Sequence, residues 1–272
     1  MSNFKKKEYK TNVERLEYIM KCLRDPKTGC PWDIKQTFDT IAPYTIEEAY
    51  EVLDAIEQKD MHSLKEELGD LLLQVIFHSQ MASENGDFNF DSVAETVCDK
   101  MVRRHPHVFE TIDSLDVNEQ MLAWEDLKAE ERSRKTHYNS ILDGIAKCLP
   151  ALLRASKLQK RAARVGFDWP DWKEAYKKLN EELNELSVEL EQPNLNQKNI
   201  MEELGDVLFS VVNVARKLNI EPEEALRNGN AKFENRFSYI ETSLEEDNKS
   251  FDDVTLDDME ILWQKSKLMK NL

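Results

Sequence analysis

Glu47-Glu48-Ala49-Tyr50-Glu51, followed after a gap by Glu66-Glu67-Leu68-Gly69-Asp70, returns half a chain later as Glu181-Glu182-Leu183-Asn184-Glu185 and Glu202-Glu203-Leu204-Gly205-Asp206. Solvating a helix face asks only for charge, whereas this recurrence keeps position, and position is what metal coordination requires. One Glu-Glu-x-x-Glu taken alone reads as an exposed helix face. Its duplication, joined each time to Glu-x-x-Asp at the head of an apolar segment, reverses that preference.

Each first acid segment has helical spacing. Ala49, Val52, Leu53 and Ile56 form one apolar stripe, and Leu179, Leu183, Leu186 and Leu190 form its counterpart. At about 100° per residue, Glu47, Glu51 and Glu48 fall at about 0°, 40° and 100° of arc, so three carboxylates stand together beside the stripe. In the second acid segment Leu71, Leu72, Leu73, Val75, Ile76 and Phe77 point in nearly every direction, the pattern of a helix buried on most sides. Glu66 and Asp70 share the face of Leu73 and Phe77, which predicts that these acids are drawn into an interior or a cleft. Unpaired carboxylates there carry a desolvation cost that a cation relieves. Gly69 and Gly205, inside the predicted helices, point to a close helix approach.

Working outward, Gly29-Cys-Pro-Trp32-Asp has an answer in Gly166-Phe-Asp-Trp169-Pro, Lys100-x-x-x-Arg104 in Lys232-x-x-x-Arg236, and Trp124-x-x-x-Lys128 in Trp263-x-x-x-Lys267, always in the same order. This order predicts a tandem duplication. The expected division is residues 1–132, a polar linker at 133–147 and residues 148–272, with a turn at His137 to Ser140 and the first helix of the second copy over Leu149 to Val165. A solenoid is the weaker alternative, because polar pairs recur here and not core leucines alone.

Composition agrees on an all-α chain. The 272 residues include only 7 Gly and 8 Pro, 33% are charged, and no convincing strand alternation occurs. With 53 acidic against 37 basic residues, the formal charge of −16 excludes a nucleic-acid polymer as partner, since phosphate backbones are bound by clustered Lys and Arg. It leaves room for a small metal-chelated polyanion, because bound divalent cations reverse the local sign. Cys22, Cys30, Cys98 and Cys148 show neither zinc spacing nor the density of a disulfide scaffold. No apolar run approaches about 18 residues, so a cytoplasmic location without a membrane partner is expected.

Ligand hardness selects the metal. All-oxygen sets suit Mg²⁺, Mn²⁺ or Ca²⁺, and with five His and no Glu-x-x-His the di-iron pattern is missing. Mg²⁺ is expected, with Mn²⁺ as the alternative, and because Mg²⁺ binds through few carboxylates plus substrate phosphates, a polyphosphate ligand comes with it. The repeated Lys/Arg pairs supply a phosphate clamp, although each pair alone would be surface charge. No P-loop, Gly-rich dinucleotide fingerprint or G-x-S-x-G elbow is present. His105-Pro-His107 lacks a counterpart in the second half and is expected to be a turn.

The assembled motifs carry a resemblance. Cys30-Pro-Trp-Asp33, Gln36-Thr-Phe, the two acid sets, Arg103-Arg-His-Pro-His-Val-Phe109, Arg161-Ala-Ala-Arg-Val-Gly-Phe-Asp-Trp169, Lys232-Phe-x-x-Arg236 and Trp263-x-x-x-Lys267 together resemble the two-domain form of the MazG family, within the all-α NTP pyrophosphatase superfamily. The resemblance spans nearly the whole chain. It implies two tandem MazG-like helical bundles, and Mg²⁺-dependent hydrolysis of nucleoside triphosphates to monophosphate and pyrophosphate with broad base tolerance. It implies metal ligands Glu182, Glu185, Glu203 and Asp206 in the second copy and Glu48, Glu51, Glu67 and Asp70 in the first. Lys232, Arg236 and Lys267 would hold phosphates, Trp263 would line the pocket, and Trp169, Lys100, Arg104, Trp124 and Lys128 would take the remaining substrate contacts. A homodimer is implied as well. One departure is Asn199, seven residues before Asp206, where family members often place a basic residue. Both acid sets are complete, and the second copy is expected to be the working one because its Lys-Phe-x-x-Arg and Trp-x-x-x-Lys elements fit the family better. Two alternatives stand beside this: a non-catalytic cation-binding regulator, and a narrower dUTP or dCTP pyrophosphatase.

Overall fold

The structure, a computed structural model, describes residues 9–110, 116, 120, 124, 127, 131 and 140–268. Helices are the only extended regular structure among the described residues, and the chain divides into two compact units, Met1–Lys128 and Ala129–Leu272. Residues 133–147 belong to the second unit by this division. Within that span Arg161 Nη1 donates to the carbonyls of Ile141 (2.8 Å) and Asp143 (3.2 Å), tying the segment to its neighbour helix.

The first unit contains α1 (Asn12–Leu23), α2 (Pro31–Lys35), α3 (Phe38–Gln58), α4 (Met61–Asn85), α5 (Phe90–Arg104) and the short α6 (Pro106–Phe109). Their starts are written in side chains that satisfy the free backbone N–H groups of a first turn. Thr37 and Thr40 form a reciprocal capping box on α3, Asp60 accepts from the amides of His62 and Ser63 on α4, and Asn89 accepts from Ser92 on α5. Only Lys59, left-handed at φ 59°, and Asp60 separate α3 from α4, so the two long helices pack as an antiparallel hairpin. α1 and α5 cover one side of α4. Met20, Ile41, Ile76, Phe77 and Met81 make the core there, flanked by Leu16, Leu72, Leu73 and Phe90. Arg24, at the end of α1, pairs with Glu84 of α4 at 2.7 Å and donates to the carbonyl of Gln36 at 3.3 Å, closing the turn that carries α2.

The second unit repeats the hairpin. It contains α7 (Ala151–Ala163), α8 (Trp172–Leu190), α9 (Gln197–Lys217), α10 (Pro222–Glu246), a 3₁₀ turn (Phe251–Asp253) and α11 (Leu256–Leu268). Asp171, Asn196 and Glu221 cap α8, α9 and α10. α8 lies along α9, α7 packs on the other side of α9, and α10 joins α7 to α11. Asp168, in the loop before α8, pairs with Arg216 and, at 2.9 Å, with Lys217 at the end of α9. Burial pushes that carboxyl up, yet the two cations outweigh it and hold it at about 2.

Three packing expectations change. Val52 and Leu53 are half-buried, but Ile56 is 53% exposed, and of the second stripe Leu183 and Leu190 remain 45% and 52% exposed. The buried positions of α3 are Ile41 and Ala55 instead. α4 is not enclosed on most sides either: Leu68 is exposed and Leu71, Leu72, Leu73 and Val75 are half-buried, because α1 and α5 cover only one flank of the hairpin. A methyl group built on Gly69 or Gly205 meets nothing within 4 Å, so among the described residues no helix presses there. The segment after Arg104 is not a plain turn: His105 accepts into a new helical turn over Pro106–Phe109.

Candidate metal and triphosphate site

In the first unit the hairpin sets α3 acids against α4 acids. Oxygens of Glu48, Glu67 and Asp70 lie within 4.8 Å of one another. Gln74, one turn beyond Asp70, donates from Nε2 to Glu48 at 3.4 Å. Burial, then the charges of Asp70 and Glu51, push the Glu48 carboxyl above its ordinary range against the pull of that amide. Glu67 is pushed up by desolvation first and then by Glu51, Asp70 and Glu66. Glu51 stands outside the trio but lies close enough to help raise both Glu48 and Glu67. Glu66, expected to share the inward face, turns out toward His62, with 3.4 Å between its carboxylate and Nδ1.

The second unit forms a trio from Glu182, Glu185 and Glu203, again within 4.8 Å. Asp206 is exposed and lies outside it. Glu182 is the most buried of these acids, at 6% exposure, and carries a cationic partner that, among the described residues, no acid of the first trio has: Lys178 Nζ stands 2.7 Å from Glu182 and 2.7 Å from Glu181. Hydrogen bonds to Glu181 and Glu182 push the Lys178 ammonium well above the usual lysine range. Glu185 is raised by desolvation and by the charge of Glu182.

Oxygens sharing one Mg²⁺ lie about 3 to 4 Å apart, so small side-chain rotations would close either trio onto one hard divalent ion. The donors are oxygen throughout, which suits Mg²⁺ or Mn²⁺ and disfavours zinc. The raised carboxyls of Glu48, Glu67 and Glu185 point the same way: lost hydration first, and neighbouring like charges second, disfavour ionised forms that a cation would relieve.

The expected phosphate-binding cations stand on other helices. On α10, Lys232 is exposed and Arg236 is half-buried with its guanidinium over the Trp263 ring of α11, 5.5 Å from the centroid. Phe233 packs on the same indole at 5.3 Å. The structure thus brings Arg236 and Trp263 together and leaves Lys267 exposed near the end of α11. In the first unit Lys100 and Arg104 are half-buried on α5, and Trp124 donates from Nε1 to the Arg104 carbonyl at 2.9 Å while meeting the His105 ring edge-on at 4.8 Å. Lys128 lies outside the described residues. Trp169 is exposed in the loop before α8, and its motif counterpart Trp32 meets Tyr44 edge-on at 6.2 Å.

A cavity of about 460 Å³ is lined by Tyr9, Glu17, Tyr18, Ile76, Ser79 and Ser83 among others, on the side of α4 opposite Glu67 and Asp70, and takes no part in this arrangement. Sequence reasoning missed Lys178 and Gln74. The signal for Lys178 was present in the helical spacing Lys-x-x-Glu-Glu, which puts one ammonium within reach of both acids.

Comparison with known proteins places this geometry. The MazG nucleotide pyrophosphohydrolase domain model matches residues 36–109 and 173–240, which contain both acid trios. A protein of Escherichia coli strain K12 named nucleoside triphosphate pyrophosphohydrolase is 48% identical over 255 residues, covering 94% of this chain and 97% of that one. The nucleoside triphosphate pyrophosphohydrolase/pyrophosphatase MazG of Thermotoga maritima is 42% identical over 254 residues, 93% and 95% of the two chains. A nucleoside triphosphate pyrophosphohydrolase of Mycobacterium tuberculosis is 38% identical over 156 residues, 57% of this chain and 46% of that protein. The chain belongs to the MazG family of nucleotide pyrophosphohydrolases and is an all-α enzyme of that class, with the family domain present twice.

Proposed function

We propose that the protein hydrolyses nucleoside triphosphates to monophosphate and pyrophosphate with Mg²⁺, or Mn²⁺ in its place, and that it accepts the bases broadly as a housekeeper of the cytoplasmic nucleotide pool. The observation that carries this reading is the pair of all-carboxylate trios on equivalent helix hairpins, each inside a family domain. Glu182, Glu185 and Glu203 would hold the ion in the second unit, with Asp206 one turn from Glu203 as the fourth acid. Glu48, Glu67 and Asp70, with Glu51 beside them, take those places in the first. Bound Mg²⁺ supplies neutralisation of the triphosphate and polarisation of its phosphoryl oxygens. The chain's own residues do the rest. Lys232, Arg236 and Lys267 bind phosphate oxygens, with Arg236 offering a planar fork that Trp263 keeps flat. A carboxylate oxygen left over from metal binding orients the attacking water.

The Arg236–Trp263 pair supports the second unit as the working one; the counterpart Trp124 donates to the Arg104 carbonyl and meets the His105 ring edge-on. A homodimer is proposed as well: Leu183, Leu204, Leu208 and Val211 leave an apolar face on the α8–α9 hairpin, and such faces mark contacts.

Incubation with mixed nucleoside triphosphates and Mg²⁺, followed by chromatography, tests the reaction. Monophosphate plus pyrophosphate is expected. Diphosphate plus orthophosphate, or no product from a metal-binding protein, overturns it in favour of another phosphohydrolase or a cation-binding regulator. Turnover confined to dUTP or dCTP would replace broad specificity with the narrow reading.

A further inference from the structure

The two trios differ in what already neutralises them. Around Glu48 the contacts are the Gln74 amide at 3.4 Å and the charges of Asp70 and Glu51; the position that aligns with Lys178 is Tyr44. Around Glu182 stands an ammonium at 2.7 Å, held on the same turn of helix and bridging to Glu181 at the same distance. Glu182 is also the deepest acid of either set, so of the two interactions Lys178 makes, the one to Glu182 is the better shielded from water.

We propose that Lys178 is a resident counter-cation of the second acid set, so that divalent metal fills the first unit's trio before the second, and that Glu181 is the acceptor onto which Lys178 withdraws when metal enters. This rests on reading both trios as metal sites. A divalent ion arriving at Glu48, Glu67 and Asp70 meets acids that, among the described residues, have the Gln74 amide but no ammonium or guanidinium within ion-pair distance, and gains nearly their whole charge. At Glu182, Glu185 and Glu203 it must first part an ion pair, and the energy of that pair is subtracted from its binding. Because Glu181 is exposed and lies outside the trio, the ammonium can keep one carboxylate partner when it gives up Glu182, which keeps the exchange cheap and reversible. The consequence is unequal metal loading in one chain: the first unit holds metal at concentrations where the second does not.

The test is a Mn²⁺ titration of the full-length protein without nucleotide, followed by electron paramagnetic resonance. Two classes of bound ion are expected, the tighter removed by Glu67→Gln and the weaker by Glu203→Gln. Lys178→Met should tighten the weaker class about fivefold, the effect of losing one partly screened ion pair. Lys177→Met is the control. It removes the same charge one residue away, from an ammonium paired with Glu174 at 2.6 Å, and should change the weaker class less than about twofold. Glu181→Gln should loosen the weaker class in the native protein and do so less in the Lys178→Met background, since the acceptor matters only while the ammonium is present. Equal effects of Lys178→Met and Lys177→Met, loosening by Lys178→Met, or loss of the tighter class in Glu203→Gln would overturn the inference while leaving the metal sites standing. Two classes that survive both Glu67→Gln and Glu203→Gln would overturn the site reading and the inference together.

Discussion

The α3–α4 and α8–α9 hairpins have the same acids in the same order, yet they balance charge differently. In the first, three carboxylates face one another with an amide as the nearest help, and Glu48 and Glu67 are driven toward protonation. In the second, the deepest acid is neutralised from its own helix by Lys178. The tethers outside the hairpins differ in the same spirit: Arg24 on α1 reaches an acid on α4, whereas Asp168 in a loop receives two bases from α9. A duplicated motif therefore keeps its acids in sequence while the trio that converges shifts, from Glu48, Glu67 and Asp70 to Glu182, Glu185 and Glu203, and its supporting charges drift with it, because the fold needs only that each buried charge find a partner, not a particular one.

The sharpest way to break the comparison is to remove one acid from each trio. Glu203→Gln is expected to lower turnover by about a hundredfold or more, the scale on which transition-state charge stabilisation is lost, and Glu67→Gln to leave most of it; equal losses in a pyrophosphate-release assay would make both units catalytic. Next in size, Arg236→Ala should raise KM for the triphosphate about tenfold or more, the worth of a charge-assisted hydrogen bond, while Arg104→Ala barely moves it. Steady-state kinetics on the two variants decide whether the clamp belongs to the second unit.

Acidity offers a third contrast. Glu48, Glu67 and Glu185 have carboxyls raised above 4.5, so their neutral forms favour the fold. Their contribution is present below 4.5 and is lost as pH rises through the raised values, so in chelator the melting temperature should fall across that window and Mg²⁺ at neutral pH should restore it. Asp168 works in the opposite direction: its stabilisation is present above 3.8 and is lost as pH falls through about 2. Asp168→Asn should cost about 1 to 3 kcal/mol in denaturant unfolding and flatten only the acid limb. A melting curve in chelator that rises from pH 4.5 to 7 would contradict the crowding of the trios. The smallest effects belong to Gly69→Ala and Gly205→Ala, each expected to stabilise by about 0.5 to 1 kcal/mol, since the added methyl meets open space. A destabilisation that grows with protein concentration would instead show a second chain against these glycines.

Much of the fold was legible in helical spacing and in the repeated order of motifs, and the helix starts were written in the sequence too, although they went unread. Thr37, Asp60, Asn89, Asp171 and Asn196 stand where caps belong, and each accepts a first-turn amide. The acids were legible because their spacing recurs. What misled was the apolar periodicity: Ile56, Leu183 and Leu190 continue a stripe whose pattern promises burial, but a stripe says only which residues share a face, not whether another helix covers it. Gly69 and Gly205 misled for the same reason. Glu66 shares an arc with Asp70 yet turns to His62, since long side chains choose partners by rotamer as well as by helical phase.

By itself the sequence determined the helical class, the duplication, the repeated acid sets and the family, because each is carried by residue types at fixed separations along one chain. Only the tertiary structure decided that each acid quartet contributes a trio, that Arg236 lies on Trp263, and that Lys178 sits on Glu182 while Glu48, with Tyr44 at the matching position, has no cation beside it among the described residues. Those are matters of convergence and burial. A carboxylate's demand for a counter-charge depends on how much water is left around it and on which side chains from a second helix arrive within a few ångströms, and neither is a property of spacing in the chain.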